Sequence, residues 1–258
     1  DQNWRLGWLL VAGTGLLAAV IAAIGVRENP AQLGQYPDGI EPGTPGGGPG
    51  WSAGPSAVYQ TQDHWLAGEA ARTRAFWLII LGHIGFLVPN TTCFAHSVIH
   101  LKDLGHPGDV AALSIGMTVA FSVLGRLLGG VLCDRVEPRR VWSGALLVVA
   151  AAIATLMYAT EVWQIVLYAL LMGVGFGAAM ICLPTATSNY FGVESFPAVA
   201  GLMLPIATVT GSFAPTAAGL VYDRGGSYEP AFAGAIAVTL LAALLIPLAR
   251  PPLKPPAA

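Results

Sequence analysis

Seven runs of roughly twenty apolar residues, each bounded by charge, constrain this chain more than any other feature. They are Leu6–Val26, Phe76–Ile99, Val110–Leu132, Val141–Tyr158, Trp163–Thr187, Phe196–Val221 and Ala231–Ala249. Each is long enough to cross about 30 Å of hydrocarbon at about 1.5 Å of rise per residue. In lipid a backbone must satisfy its own hydrogen bonds, so the runs read as helices. A β-barrel would show alternating segments of about ten residues, and the sequence has none. The first run follows a single basic residue, Arg5, and is longer than the usual apolar core of a signal peptide. It therefore reads as a span, with a signal peptide as the alternative.

Composition excludes the other classes. The 258 residues are 55% hydrophobic and 10% charged, against about 25% charged in a soluble domain. Such a chain cannot cover a soluble surface, and it is too apolar to be disordered. A net charge of −2 with no stripe of Lys or Arg leaves no footprint for nucleic acid. The expected fold class is an all-α integral membrane protein with seven transmembrane helices, one preceding a block of six.

Loop composition divides the chain. Residues 1–27 form the first span. Residues 28–74 form a Gly/Pro-rich linker whose Thr44–Gly50 segment, TPGGGPG, disfavours helix and strand alike. Residues 75–250 hold six spans, and 251–258 are a tail. If the first span ends on the cytoplasmic side, eight basic residues lie inside (Arg27, Arg72, Arg74, Arg135, Arg139, Arg140, Arg250, Lys254). Three lie outside (Arg5, Lys102, Arg224). That bias predicts a cytoplasmic linker and C-terminus in a multi-pass protein of the cytoplasmic membrane.

Arg126 is the one formal charge inside a span. A cation there costs about 2.5–3.5 kcal/mol on insertion scales and usually faces an interior cavity. Its planar fork matches a carboxylate. The plainer alternative is a side chain that snorkels toward headgroups about 10 Å away. All fourteen acids fall in loops or at span ends, so none is placed to neutralise it. The second span is polar in its middle. His83 and Asn90, seven apart, share a face and are suited either to lining a pathway or to bonding neighbouring helices. His83 also titrates near neutrality when unperturbed. His96 and His100 have the spacing of metal ligands but no third ligand, so no metal is expected. Cys93, Cys133 and Cys182 read as small packing residues rather than disulfide partners.

Three stretches carry a family resemblance. The third span ends Gly125-Arg126-Leu127-Leu128-Gly129-Gly130, then Val131-Leu132-Cys133-Asp134-Arg135 and Arg139-Arg140. A Gly, three residues, Asp-Arg and a basic pair resemble the cytoplasmic loop signature of the major facilitator superfamily. The fifth span carries Gly173, Gly175, Gly177 and Pro184, and closes on Tyr190-Phe191-Gly192. The sixth closes with Gly219-Leu220-Val221-Tyr222-Asp223 and Gly226-Ser227-Tyr228, similar to the end of helix 11 in the monocarboxylate and oxalate–formate branch. Arg27–Gly39 is similar to the region after helix 6 of bacterial members. Two positions depart from the pattern. Glu137-Pro138 stands where the signature has Gly and a basic residue, and Ser122 stands where monocarboxylate carriers place an Asp.

The resemblance implies helices 6–12 of a twelve-helix transporter, in a chain lacking helices 1–5. It implies a secondary active transporter moving a small organic anion, a mono- or dicarboxylate, by alternating access, with a proton or counter-anion as coupled species. Arg126, with Asn90 and His83, would contribute to the anion site. Gly130, Asp134, Arg135, Arg139 and Arg140 would form a gating latch, or else simply anchor the inner face. No cofactor, enzymatic activity or nucleic-acid partner is implied. The competing reading is a seven-helix receptor or sensor. A retinal protein is excluded because both lysines, Lys102 and Lys254, lie outside the spans.

Overall fold

The computed structural model describes residues 4–26, 58–61 and 63–254. It divides into two units, Asp1–Pro55 and Ser56–Ala258. The first holds α1 (Trp4–Gly25). The second holds a short α2 (Ala67–Ala70) and six long helices. These are α3 (Arg74–Asp103), α4 (Gly108–Cys133), α5 (Pro138–Met157), α6 (Val162–Phe191), α7 (Phe196–Gly225) and α8 (Glu229–Leu245), with a 3-10 turn at Ile246–Leu248. Seven of the described helices are long and apolar enough to cross a membrane, one for each apolar run. The fold is all-helical, as the runs predict. The Thr44–Gly50 segment and Arg27 lie outside the described residues.

Helices α3, α6 and α7 are each 30 residues long, several residues beyond their apolar runs. Their ends carry local stop signals. Thr73 caps α3, its hydroxyl accepting from the Phe76 amide at 3.3 Å. Gly192 ends α6 with φ +87°, where a Cβ would also meet the Asp63 carbonyl at 2.9 Å.

Helix α6 packs against α4 and α5, α3 packs against α7 and α8, and α5 meets α8. The α4–α6 seam is made of glycine. Gly125 and Gly129 of α4 and Gly173 and Gly177 of α6 are each four apart and face the other helix. A Cβ on Gly125 would strike the Val174 carbonyl, and one on Gly177 the Ser122 carbonyl. At Gly129 it would lie 2.8 Å from Ala178 Cα, and at Gly173 2.7 Å from Phe121 Cβ. Lipid offers no hydrophobic drive to pair helices, so close backbone approach supplies the attraction. Gly130 differs from Gly129, with open space where its Cβ would stand.

Two prolines inside helices are compensated from a neighbour. Pro215 has no amide to give to the carbonyl of Gly211, one turn back. Thr91 of α3 places its hydroxyl 3.0 Å from that carbonyl, while also 2.9 Å from its own helix at Leu87. Pro89 likewise frees the Gly85 carbonyl, and Thr239 of α8 lies 3.3 Å from it, shared with Ala235 at 2.8 Å. Each repair also ties two spans together.

The stretch before α3, read from sequence as the end of a linker, is folded onto the bundle. Trp65 is buried, its amide donating to Ser195 Oγ at 2.8 Å and its ring set edge-on to Phe191 at 5.5 Å. The Thr61 amide donates to the Asn189 carbonyl at 2.9 Å. Aromatic side chains explain the difference: Tyr59 and Trp65 carry more apolar area than a solvated linker would leave exposed.

Candidate functional site

Arg126 is placed by the glycine seam. Gly125 and Gly129 turn one face of α4 onto α6, so Arg126 projects beside the contact and is exposed on this unit. Its Nη2 lies 3.6 Å from the Met180 sulfur, and its Cζ 6.0 Å from the Phe176 ring centroid. Among the described residues no carboxylate lies within ion-pairing distance of it. An aromatic face and a thioether are weak partners for a guanidinium and leave its donors available.

Phe176 is the centre of an aromatic set. Phe86 of α3 stacks on it at 5.4 Å, and Phe94 of the same helix lies 6.2 Å away at 45°. His83 stacks on Phe86 at 5.5 Å. Asn90 stands one turn from both Phe86 and Phe94, on the face that meets Phe176, and its Oδ1 is buried without a hydrogen-bond partner. His83 and Arg126, selected separately from sequence, thus both contact one aromatic cluster, and Asn90 lies between two of its rings along α3. Sequence reasoning missed Phe86, Phe94, Phe176 and Met180. The signal was present in the four-residue spacing of Phe86, Asn90 and Phe94, and of Phe176 and Met180.

The depth of Arg126 also differs from what its own helix suggests. Counting along α4 puts it near the Asp134 end. Phe176, level with it, sits midway along α6, because α6 continues well past the end of α4. Side chains lean toward the N-terminus of their helix, which for α4 points away from the Asp134 end.

Ser122 is fully buried, its hydroxyl bonding back to Val119 at 2.6 Å and its carbonyl against Gly177. It belongs to the seam, not to the open face of Arg126.

The polar residues further along α3 are engaged in packing. His96 Nε2 donates to the Pro215 carbonyl at 2.9 Å, a tautomer fixed by that acceptor, and Nδ1 accepts from the Tyr228 hydroxyl at 3.1 Å. His100 sets its ring edge-on to Phe232 at 5.0 Å. Burial pushes the Tyr228 phenol above its ordinary pKa. Among the described residues no group of three potential metal ligands is present. Cys133 and Cys182 are free thiols with their sulfurs 3.8 Å apart across the α4–α6 seam.

At the other end, the loop residues separate into two groups. Asp134 is exposed and ends α4 as its C-cap, and Asp134 makes no ion pair with Arg139 or Arg140. Arg135 and Arg140 are exposed too. Arg139 reaches inward, donating to the carbonyls of Pro247 at 3.3 Å and Ala249 at 3.4 Å. The centre of this end is Glu137, the residue that departs from the signature. Its carboxylate accepts from the Tyr59 amide at 2.9 Å and the Tyr190 hydroxyl at 3.4 Å. Tyr190 also lies 3.0 Å from the Ala249 carbonyl. Glu137 and Tyr190 thereby link the segment before α3 and the start of α5 with the end of α6 and the stretch that follows α8.

The family model of the major facilitator superfamily matches residues 91–258. The chain belongs to this superfamily. That match contains Arg126, Phe176 and the whole 130–140 loop, while His83 and Asn90 lie just upstream of it. The superfamily member is also similar to human monocarboxylate transporter 7, 27% identical over 173 residues. The similarity covers 65% of this chain and 32% of that protein, so the chain spans about a third of the relative's length.

Proposed function

We propose that the protein is a secondary active transporter of a small organic anion, a mono- or dicarboxylate, working by alternating access in the cytoplasmic membrane with its C-terminus inside. The single observation that carries this is Arg126. It is a membrane-embedded guanidinium, level with the middle of α6, held by an aromatic ring and a thioether and lacking a carboxylate partner among the described residues. A substrate carboxylate supplies the missing charge and takes a bidentate pair from the fork. The amide of Asn90 borders the same cluster and orients the anion, and His83 lines its rim. Membership of the major facilitator superfamily and the likeness to a monocarboxylate transporter support transport over the receptor reading.

The exposed end of α4 supports a latch in the same proposal. Gly130 leaves room for another helix to approach, and Asp134 and Arg135 stand free beside it, with Arg139 and Arg140 opening α5. Charged contacts made there in one state and broken in the other bias a two-state rocking motion. The coupled species is a proton or a counter-anion.

The test is uptake of a labelled monocarboxylate and a labelled dicarboxylate into vesicles holding the full-length protein. Arg126→Gln is expected to abolish uptake, and Arg126→Lys to retain a weakened fraction, because a point charge replaces a planar fork. Uptake unchanged in Arg126→Gln overturns the assignment. Preloading with unlabelled anion, against an imposed proton gradient, separates exchange from proton coupling.

A further inference from the structure

The outer surface of the six-helix unit carries a cleft of about 390 Å³ between α4, α5 and α6, of whose lining only Arg140 figures above, in the latch. Its walls are apolar: Leu128 and Leu132 of α4, Val148 of α5, and Val174 and Ala178 of α6. Gly144 keeps it open, since nothing stands within 4 Å of where a Cβ would be. Leu128 and Leu132 are 54% and 45% exposed, so the cleft opens along the side of the bundle.

One charge sits at its mouth. Arg140 lines the cleft in the first turn of α5, just before the apolar run begins. Its neighbours are otherwise engaged. Arg139 is turned onto the Pro247 and Ala249 carbonyls, and Glu137 onto Tyr59 and Tyr190. Arg140 itself has neither a side-chain hydrogen bond nor an ion pair among the described residues. A long apolar slot ending in an uncompensated guanidinium at the level where a span leaves the hydrocarbon matches one kind of molecule, with a hydrocarbon chain on one end and an anion on the other.

We infer that this cleft is a binding site for an anionic glycerophospholipid, with one acyl chain lying along Leu128, Leu132, Val148 and Val174 and the phosphate on Arg140. Arginine forks match phosphate oxygens, and basic pockets between spans select anionic headgroups. The apolar walls alone would accept any chain; Arg140 supplies the preference for negative charge.

The full-length protein in nanodiscs tests this, using phosphatidylglycerol and phosphatidylcholine that carry a photoreactive group on one acyl chain. Labelled peptides are mapped by mass spectrometry. Phosphatidylglycerol is expected to label residues 128–148 and 174–178 in preference to phosphatidylcholine by about fivefold, the effect of one basic residue at an anionic surface. Arg140→Gln should erase that preference while leaving chain labelling in place. Gly144→Phe, which grows into open space, should cut labelling of the cleft by both lipids while its size-exclusion profile stays that of the parent. Labelling spread evenly over all lipid-facing helices, or equal labelling by both lipids, would each overturn the inference.

Discussion

The hydroxyl of Thr91 lies 3.0 Å from the Gly211 carbonyl, the group that Pro215 leaves without a helical donor. This contact joins α3 to α7 at a turn where α7 lacks a backbone hydrogen bond. Thr91→Val keeps the shape and removes the donor. It is expected to destabilise the protein by about 1 kcal/mol, read as a lower thermal midpoint in detergent, with Thr91→Ser close to the parent. Equal midpoints for Val and Thr would show that Gly211 finds its donor elsewhere.

The two glycines of α4 nearest the loop should respond in opposite ways. Gly129→Ala drives a methyl toward Ala178 Cα, where 2.8 Å is available, and overpacking of this kind costs about 1–3 kcal/mol. Gly130→Ala enters open space and gains helix propensity. Thermal midpoints of the two variants should therefore separate to either side of the parent. A stability loss in Gly130→Ala as large as in Gly129→Ala would place the seam elsewhere.

Phe176 positions Arg126 by its ring face, with Cζ 6.0 Å from the centroid. In the transporter proposed above, Phe176→Leu retains bulk and loses the cation–π attraction of about 0.5–2 kcal/mol. Transport assays should show a KM raised several-fold with little change in maximal rate, because the site is loosened while its charge is kept. A fall in maximal rate with unchanged KM would assign Phe176 to the conformational step instead.

Glu137 anchors the strap that precedes α3 through its contact with the Tyr59 amide at 2.9 Å. Glu137→Ala leaves that amide without its acceptor, while the Tyr190 hydroxyl keeps the Ala249 carbonyl. Faster hydrogen exchange is expected at Tyr59 and Thr61, together with a destabilisation of about 1–3 kcal/mol. Exchange unaltered at both positions would mean that Trp65 and Ser195 hold the strap alone.

The spans were legible because lipid admits few solutions: an apolar run of the right length must be a helix, and each of the seven is one. Arg126 was legible for the same reason, as a charge out of place. Its surroundings were not. Phe86, Phe94 and Phe176 look like ordinary core residues until α3 and α6 are brought together, since an apolar side chain carries no mark of its partner. Tyr59 and Trp65 fall in a stretch whose composition, dominated by TPGGGPG, is that of a linker. Glu137 departs from the signature, but its partners come from distant segments, and only the folded end of the bundle shows what it does.

The glycine seam also has a mechanical consequence. Where Gly125 and Gly177 bring two backbones into contact, no flexible side chains remain to slide or repack. Helices α4 and α6 are fused into a plank over this length, with Arg126 mounted on one board and Phe176 on the other. Any movement of the protein carries the pair as a single piece, so the cation keeps its ring beneath it while the surfaces around them change.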